Sequence, residues 1–82
     1  MLDVRGLGEY ERGHVRDALN VPLPNLTDSL AQLDPSKPLA VICASGYRSS
    51  TAASILQRNA FADLYNVAGG TSAWIAAGYE TA

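Results

Sequence analysis

The sequence predicts an α/β fold, a single three-layer α/β/α domain around a mostly parallel sheet. Short apolar or β-branched runs alternate with helical segments along the chain, the pattern that βα units produce. At 82 residues there is room for one domain. A hydrophobic content of 48% against 17% charged residues belongs to a packed core, not to a disordered chain.

The elements follow in order. "LDV" (2–4) reads as the first strand and "LGEYERG" as the helix after it. "ALNVP" (18–22) is the second strand. "LTDSLAQLD" then forms a helix, with Leu26, Leu30 and Leu33 at helical spacing and Asn25 or Thr27 as its cap. Asp34-Pro35-Ser36-Lys37-Pro38 is a stiff turn that stops it. "LAVIC" (39–43) is the third strand, and "SGYRSSTAASILQRNA" the third helix, with Ala52, Ile55, Leu56 and Asn59 on one face. "LYNVAG" (64–69) is the fourth strand; Gly69-Gly70 turns the chain into a last helix, "TSAWIAAG", which Gly78 ends. The opening strand reads as buried, yet no element precedes it to cover or pair with it. Residues 1–82 are therefore expected to be one domain truncated relative to, or excised from, a longer chain.

Composition removes several function classes. The net charge is −2, and Arg5, Arg12, Arg16, Lys37, Arg48 and Arg58 are scattered, so no nucleic-acid footprint is present. One cysteine allows neither an internal disulfide nor a cysteine-paired zinc site, and it suits a reducing compartment. The start, "MLDVRGLGEY", lacks the basic and apolar regions of a signal peptide, and no apolar run approaches a membrane span. A cytoplasmic location is expected.

The lone cysteine lies in "VICASGYRSS" (41–50), at the carboxyl end of a strand, where open α/β sheets bind their ligands. If the following loop curls back, the amides of Ala44, Ser45, Gly46, Tyr47 and Arg48 cradle an anion above the positive end of a helix. Both effects favour thiolate, making Cys43 a nucleophile. Gly46 gives the loop its backbone freedom. Arg48 either neutralises a bound oxyanion or closes the loop on its carbonyls. Tyr47 forms part of the pocket wall, and Ser45 and Ser49 either hydrogen-bond the sulfur or cap the helix. A cysteine after "LAVI" can equally be a small buried hydrophobe. The glycine, the arginine and the helix start just downstream favour the nucleophile.

"LDVRGLGEYERGHVRDALNVP" resembles the opening signature of the rhodanese family through Asp3, Val4, Arg5, Glu9, Tyr10, Gly13, His14, Val15, Ala18, Asn20, Val21 and Pro22. "CASGYRSS" resembles that family's active-site loop, and "NVAGGTSAW" its closing signature. The resemblance implies a sulfurtransferase in which Cys43 carries sulfane sulfur as a persulfide. The sulfur would come from a small-molecule donor such as thiosulfate and go to a thiol or cyanide acceptor, with no metal or organic cofactor. It also implies that His14 is structural. Arg5, Glu9 and Asp3 are expected to form a structural network, and Trp74 to be a packing residue of the last helix. The family usually has a further strand and helix before the Asp-Val-Arg strand, and these are missing here. Asp17 replaces a common glycine, as a residue that tolerates positive φ. Asn59-Ala60-Phe61 replaces a frequent Gly-Phe, with Asn59 as the left-handed cap.

Two other readings compete. A dual-specificity phosphatase of the same fold holds phosphate between Cys and Arg separated by five residues; here Cys43 and Arg48 are separated by four. The second is a sulfur-carrier or regulatory binding module attached to a partner enzyme. The similarity to rhodanese domains fused behind metallo-β-lactamase-type domains supports it.

Overall fold

A computed structural model of the chain describes residues 1–67 and 69–76, with the backbone alone at 73 and 76. Its strands are β1 (Leu2–Asp3), β2 (Leu19–Asn20), β3 (Leu39–Ile42) and β4 (Leu64–Asn66); its helices are α1 (Leu7–Glu11), α2 (Tyr47–Arg58) and α3 (Gly70–Ala76). All the strand pairs are parallel, in the order β2-β1-β3-β4. The opening strand is thus central: Leu2 is in register with Leu19 on one side and Val41 on the other. The predicted end of the last helix at Gly78 lies outside the described residues.

The period of two in each strand divides the core between the sheet's faces. Leu2, Val4, Val41 and Cys43 point to one face, where they meet Ala52 and Leu56 of α2, Leu26 and Phe61. Ile42 points to the other, packing with Val15 and Ala18 against Tyr10 of α1 and Trp74 of α3. The three-layer arrangement expected from the sequence is therefore present.

The predicted second helix is instead a pair of 3₁₀ segments, Leu23–Asn25 and Thr27–Gln32. Pro22 and Pro24 have no N–H to donate, and the segment is too short for its α-helical bonds to offset their loss. Neither Asn25 nor Thr27 caps it. The leucine spacing still does its work: Leu26 is fully buried, with Leu30 and Leu33 packed against the same cluster.

On α2 the buried positions are Ser49, Ala52 and Leu56, and Ile55 is half-buried. Asn59 is exposed and is not the left-handed residue; its φ is −111°, and Ala60 takes φ 72° instead. The Phe61 N–H reaches back to the Leu56 carbonyl at 3.1 Å, and both side chains join the core. That six-to-one bond places the left-handed residue one position after Asn59. Asp17, by contrast, has the predicted positive φ, 66°.

An L-residue pays for left-handed backbone with steric strain that glycine avoids. Ala60→Gly is expected to raise stability by about 0.5–1 kcal/mol, near the lower end of the left-handed penalty after allowance for glycine's unfolded-state entropy. Urea denaturation of the two proteins measures it.

Candidate active site

The loop after β3 is fixed by α3. Cys43 and Ala44 present their carbonyls to the start of that helix: Thr71 N–H donates to the Cys43 oxygen at 2.7 Å and Ser72 N–H to the Ala44 oxygen at 3.0 Å. The buried Thr71 hydroxyl adds a second bond to the Cys43 oxygen, at 3.1 Å. In a trans peptide the carbonyl and the next N–H point in opposite directions. With the oxygens held by α3, the Ala44 and Ser45 amides turn the other way.

Gly70 makes this approach possible. Its φ is 60°, and a Cβ there would stand 2.3 Å from the Cys43 oxygen and 2.7 Å from Ala44 backbone atoms. Only hydrogen fits between the helix and the loop.

Cys43 is 1% exposed, and its Sγ accepts the Gly46 N–H at 3.1 Å. Gly46 has φ 100°, the left-handed turn that aims this amide at the sulfur and starts α2. The fully buried Ser49 hydroxyl lies 3.5 Å from Sγ. Burial alone would push the thiol pKa up. It is outweighed by the Ser49 hydroxyl and by the amides of Ser49, Ser45 and Gly46, so the net shift is downward.

The other predicted site residues fall differently. Ala44 is half-buried; Ser45 is exposed and acts on the sulfur through its amide, not its hydroxyl. Tyr47 is 84% exposed and projects from the loop instead of forming a wall. Arg48 does not close the loop on its carbonyls: its two terminal nitrogens grip the Glu9 carboxylate at 2.7 and 2.8 Å. The planar guanidinium fork fits a carboxylate better than scattered carbonyls, and α1 supplies one. Glu9 thus leaves the expected set with Arg5, which pairs with buried Asp3 at 2.8 Å and donates to the Gly13 oxygen. His14 stacks on Tyr10 with ring centroids 3.6 Å apart, and its Nδ1 lies 2.8 Å from the Tyr10 oxygen.

Two residues near the sulfur carry no sequence signal of their own. Thr71 anchors the loop from α3, and Asn66, at the end of β4, accepts the Ser49 hydroxyl at 2.5 Å. The quoted segment "NVAGG" contains Asn66, but only the pairing of β4 with β3 brings it beside the cysteine loop. Among the described residues, no three His, Cys, Asp or Glu side chains gather where they could hold a metal ion. No helix among them is long and apolar enough to cross a membrane.

The rhodanese-like domain family matches residues 1–77. This chain belongs to that family. The rhodanese domain described above is 36% identical over 74 residues to the thiosulfate sulfurtransferase GlpE of Shewanella oneidensis, covering 90% of this chain and 73% of that one. It is 35% identical over 74 residues to YqhL of Bacillus subtilis, again over 90% of this chain, but spans only 59% of YqhL. The crystal structure of a rhodanese-related protein from Thermoplasma volcanium, 34% identical, aligns with a TM-score of 0.92 over 99% of this chain and 80% of that one. The all-parallel sheet and its helices are thus the rhodanese fold.

Two tests address how the loop is held. Gly70→Ala is expected to cost about 1–3 kcal/mol, the range for forcing extra atoms into a filled site, read by urea denaturation. The second concerns Glu9. Its bond from Arg48, with a smaller contribution from the Gly6 amide, lowers its pKa from 4.5 to about 2. A folded-state pKa below the unfolded value adds stability above the unfolded value and loses it as pH falls through the folded one. The melting temperature of the native protein should therefore fall between pH 4.5 and about pH 2 more steeply than that of Glu9→Gln.

Proposed function

We propose that this rhodanese domain is a sulfurtransferase in which Cys43 carries one sulfane sulfur as a persulfide. The observation that carries the reading is the sulfur's setting: a lone buried thiol at the end of β3, with the Gly46 amide on it and the Ser49 hydroxyl beside it. The Gly46 N–H donates to the sulfur and so favours the thiolate, the form that attacks sulfur. The similarity to a protein named thiosulfate sulfurtransferase supports the choice of chemistry.

The reaction balances in two steps. The Cys43 thiolate attacks the outer sulfur of thiosulfate; the S–S bond of the donor breaks, and sulfite leaves with its electron pair. The product is a Cys43 persulfide anion, with one negative charge on its outer sulfur. Cyanide or a thiolate acceptor then attacks that outer sulfur, and the Cys43 thiolate departs as the leaving group. No proton or external electron is consumed when the acceptor is an anion. The loop amides of Ala44, Ser45, Gly46, Tyr47 and Arg48 are assigned to the persulfide, and Arg48 acts as a charge at the rim while paired with Glu9.

The depth of Cys43 favours a second reading, a sulfur carrier with little independent turnover that passes its persulfide to a partner enzyme. Cys43, at 1% exposed, presents almost no surface to solvent. Residues 1–82 would then be the rhodanese module of a larger assembly, working in the cytoplasm.

Intact mass after thiosulfate treatment tests the persulfide. A gain of one sulfur atom is expected, removed by cyanide and absent from Cys43→Ser. A gain from glutathione persulfide alone would change the donor but keep the mechanism, and no gain from either would overturn sulfur transfer. Thiocyanate formation continuing well beyond one equivalent per protein would support the enzyme over the carrier.

A further inference from the structure

Ser49 has one hydroxyl proton and more than one place to put it. Its Oγ lies 3.5 Å from the Cys43 sulfur, 3.1 Å from the Gly46 oxygen and 2.5 Å from the Asn66 Oδ1. Asn66 continues the chain: its Nδ2 donates to the Ser50 hydroxyl at 2.8 Å, and that hydroxyl donates to the Gly46 oxygen at 2.9 Å. Because Ser50 gives its proton to Gly46, it can only accept from Asn66, which turns the amide oxygen toward Ser49.

This direction suits a protonated sulfur. The Cys43 S–H donates to Ser49, and Ser49 donates onward to Asn66. An ionised sulfur needs the reverse. Ser49 must then donate to Sγ, and the Asn66 amide, turned over, supplies Nδ2–H to the Ser49 oxygen while Ser50 donates to Oδ1. An amide can serve both directions because it carries a donor and an acceptor on one planar group.

We propose that Asn66 is a positioning residue for sulfur transfer: its amide sets the direction in which Ser49 donates, and turning it over lets Ser49 donate to the Cys43 thiolate. The proposal rests on Cys43 being the sulfur-carrying nucleophile. Ser49 is among the groups that lower the thiol's pKa, which agrees with a hydroxyl able to donate to it. Charged groups lie on the neighbouring elements. Arg48 on α2, paired with Glu9 of α1, interacts electrostatically with the sulfur and with Asp3, which pairs with Arg5 just beyond β1; Asp63 pairs with Tyr65 of β4. Asn66 makes its hydrogen bonds with Ser49 and Ser50, not with any of these groups.

Asn66→Asp keeps the shape and removes the donor, so the carboxylate accepts the Ser49 proton permanently. The rate of Cys43 alkylation by iodoacetamide, followed against pH, reads the thiolate directly and needs no sulfur donor. Its outcome is therefore separate from that of the thiosulfate experiment. Asn66→Asp is expected to move the midpoint up by about one pH unit, about tenfold less thiolate at a given pH below the midpoint. In a Ser49→Ala background the same substitution should change the rate less than about twofold, because the coupling through Ser49 has gone. Equal effects in the two backgrounds would overturn the proposal, since the new charge would then be acting through space. An absent effect in the native background would overturn it too.

Thermal unfolding checks that each variant is folded. If Ser49→Ala does not fold, salt decides with Asn66→Asp alone. At about 1 M salt the screening length is about 3 Å, so a through-space effect on the sulfur shrinks while a locked hydroxyl keeps its effect. Persistence of at least half the shift supports the proposal, and a smaller remainder overturns it.

Discussion

The contact between the start of α3 and the backbone of Cys43 and Ala44 is the constraint on which the sulfur site depends. Two helix amides and one buried hydroxyl hold two loop carbonyls, and Gly70 lets them come that close. Donors at a helix start normally seek a cap or water. Here they take the carbonyls of Cys43 and Ala44. Removing those oxygens from the interior leaves amides there, which is the condition for stabilising negative charge. The last helix thus shapes the site by holding the loop backbone.

Charge enters from a different direction. Arg48 leads from the loop into α2, yet its guanidinium is fixed to Glu9 on α1. Glu9 also accepts the Gly6 N–H at 3.2 Å, so one carboxylate finishes a helix start and secures the arginine. The pair is about one-third exposed on each side, which makes its net contribution to stability modest. Its geometric effect is larger: it ties α1 to α2, helices on opposite faces of the sheet.

Much of this was legible in the sequence because it is written locally. The strand end at Cys43, the glycine turn at Gly46 and the alternating segments depend on neighbours along the chain, and the parallel sheet follows from them. What was not legible depends on pairing across the chain. Arg48 and Glu9 are 39 residues apart, and Thr71 meets Cys43 over 28. Ser49 reaches Asn66 over 17, through the register of β4 on β3. The second helix departs from its sequence expectation for another reason: leucine spacing reports which side is buried, and a 3₁₀ segment places leucines on one side almost as well. At the end of α2, a residue type suited to left-handed backbone was assigned that role, but the bond from Phe61 to Leu56 gives it to Ala60.

The depth of Cys43 also governs how the protein withstands oxidation. A peroxide that reaches this sulfur leaves a sulfenic acid, and these 82 residues contain no second cysteine to capture it as a disulfide. Return to the thiol then falls to an outside thiol, which must reach the same buried sulfur as a sulfur acceptor. Repair and turnover act on one buried sulfur, so whatever keeps it buried both protects it and delays its rescue.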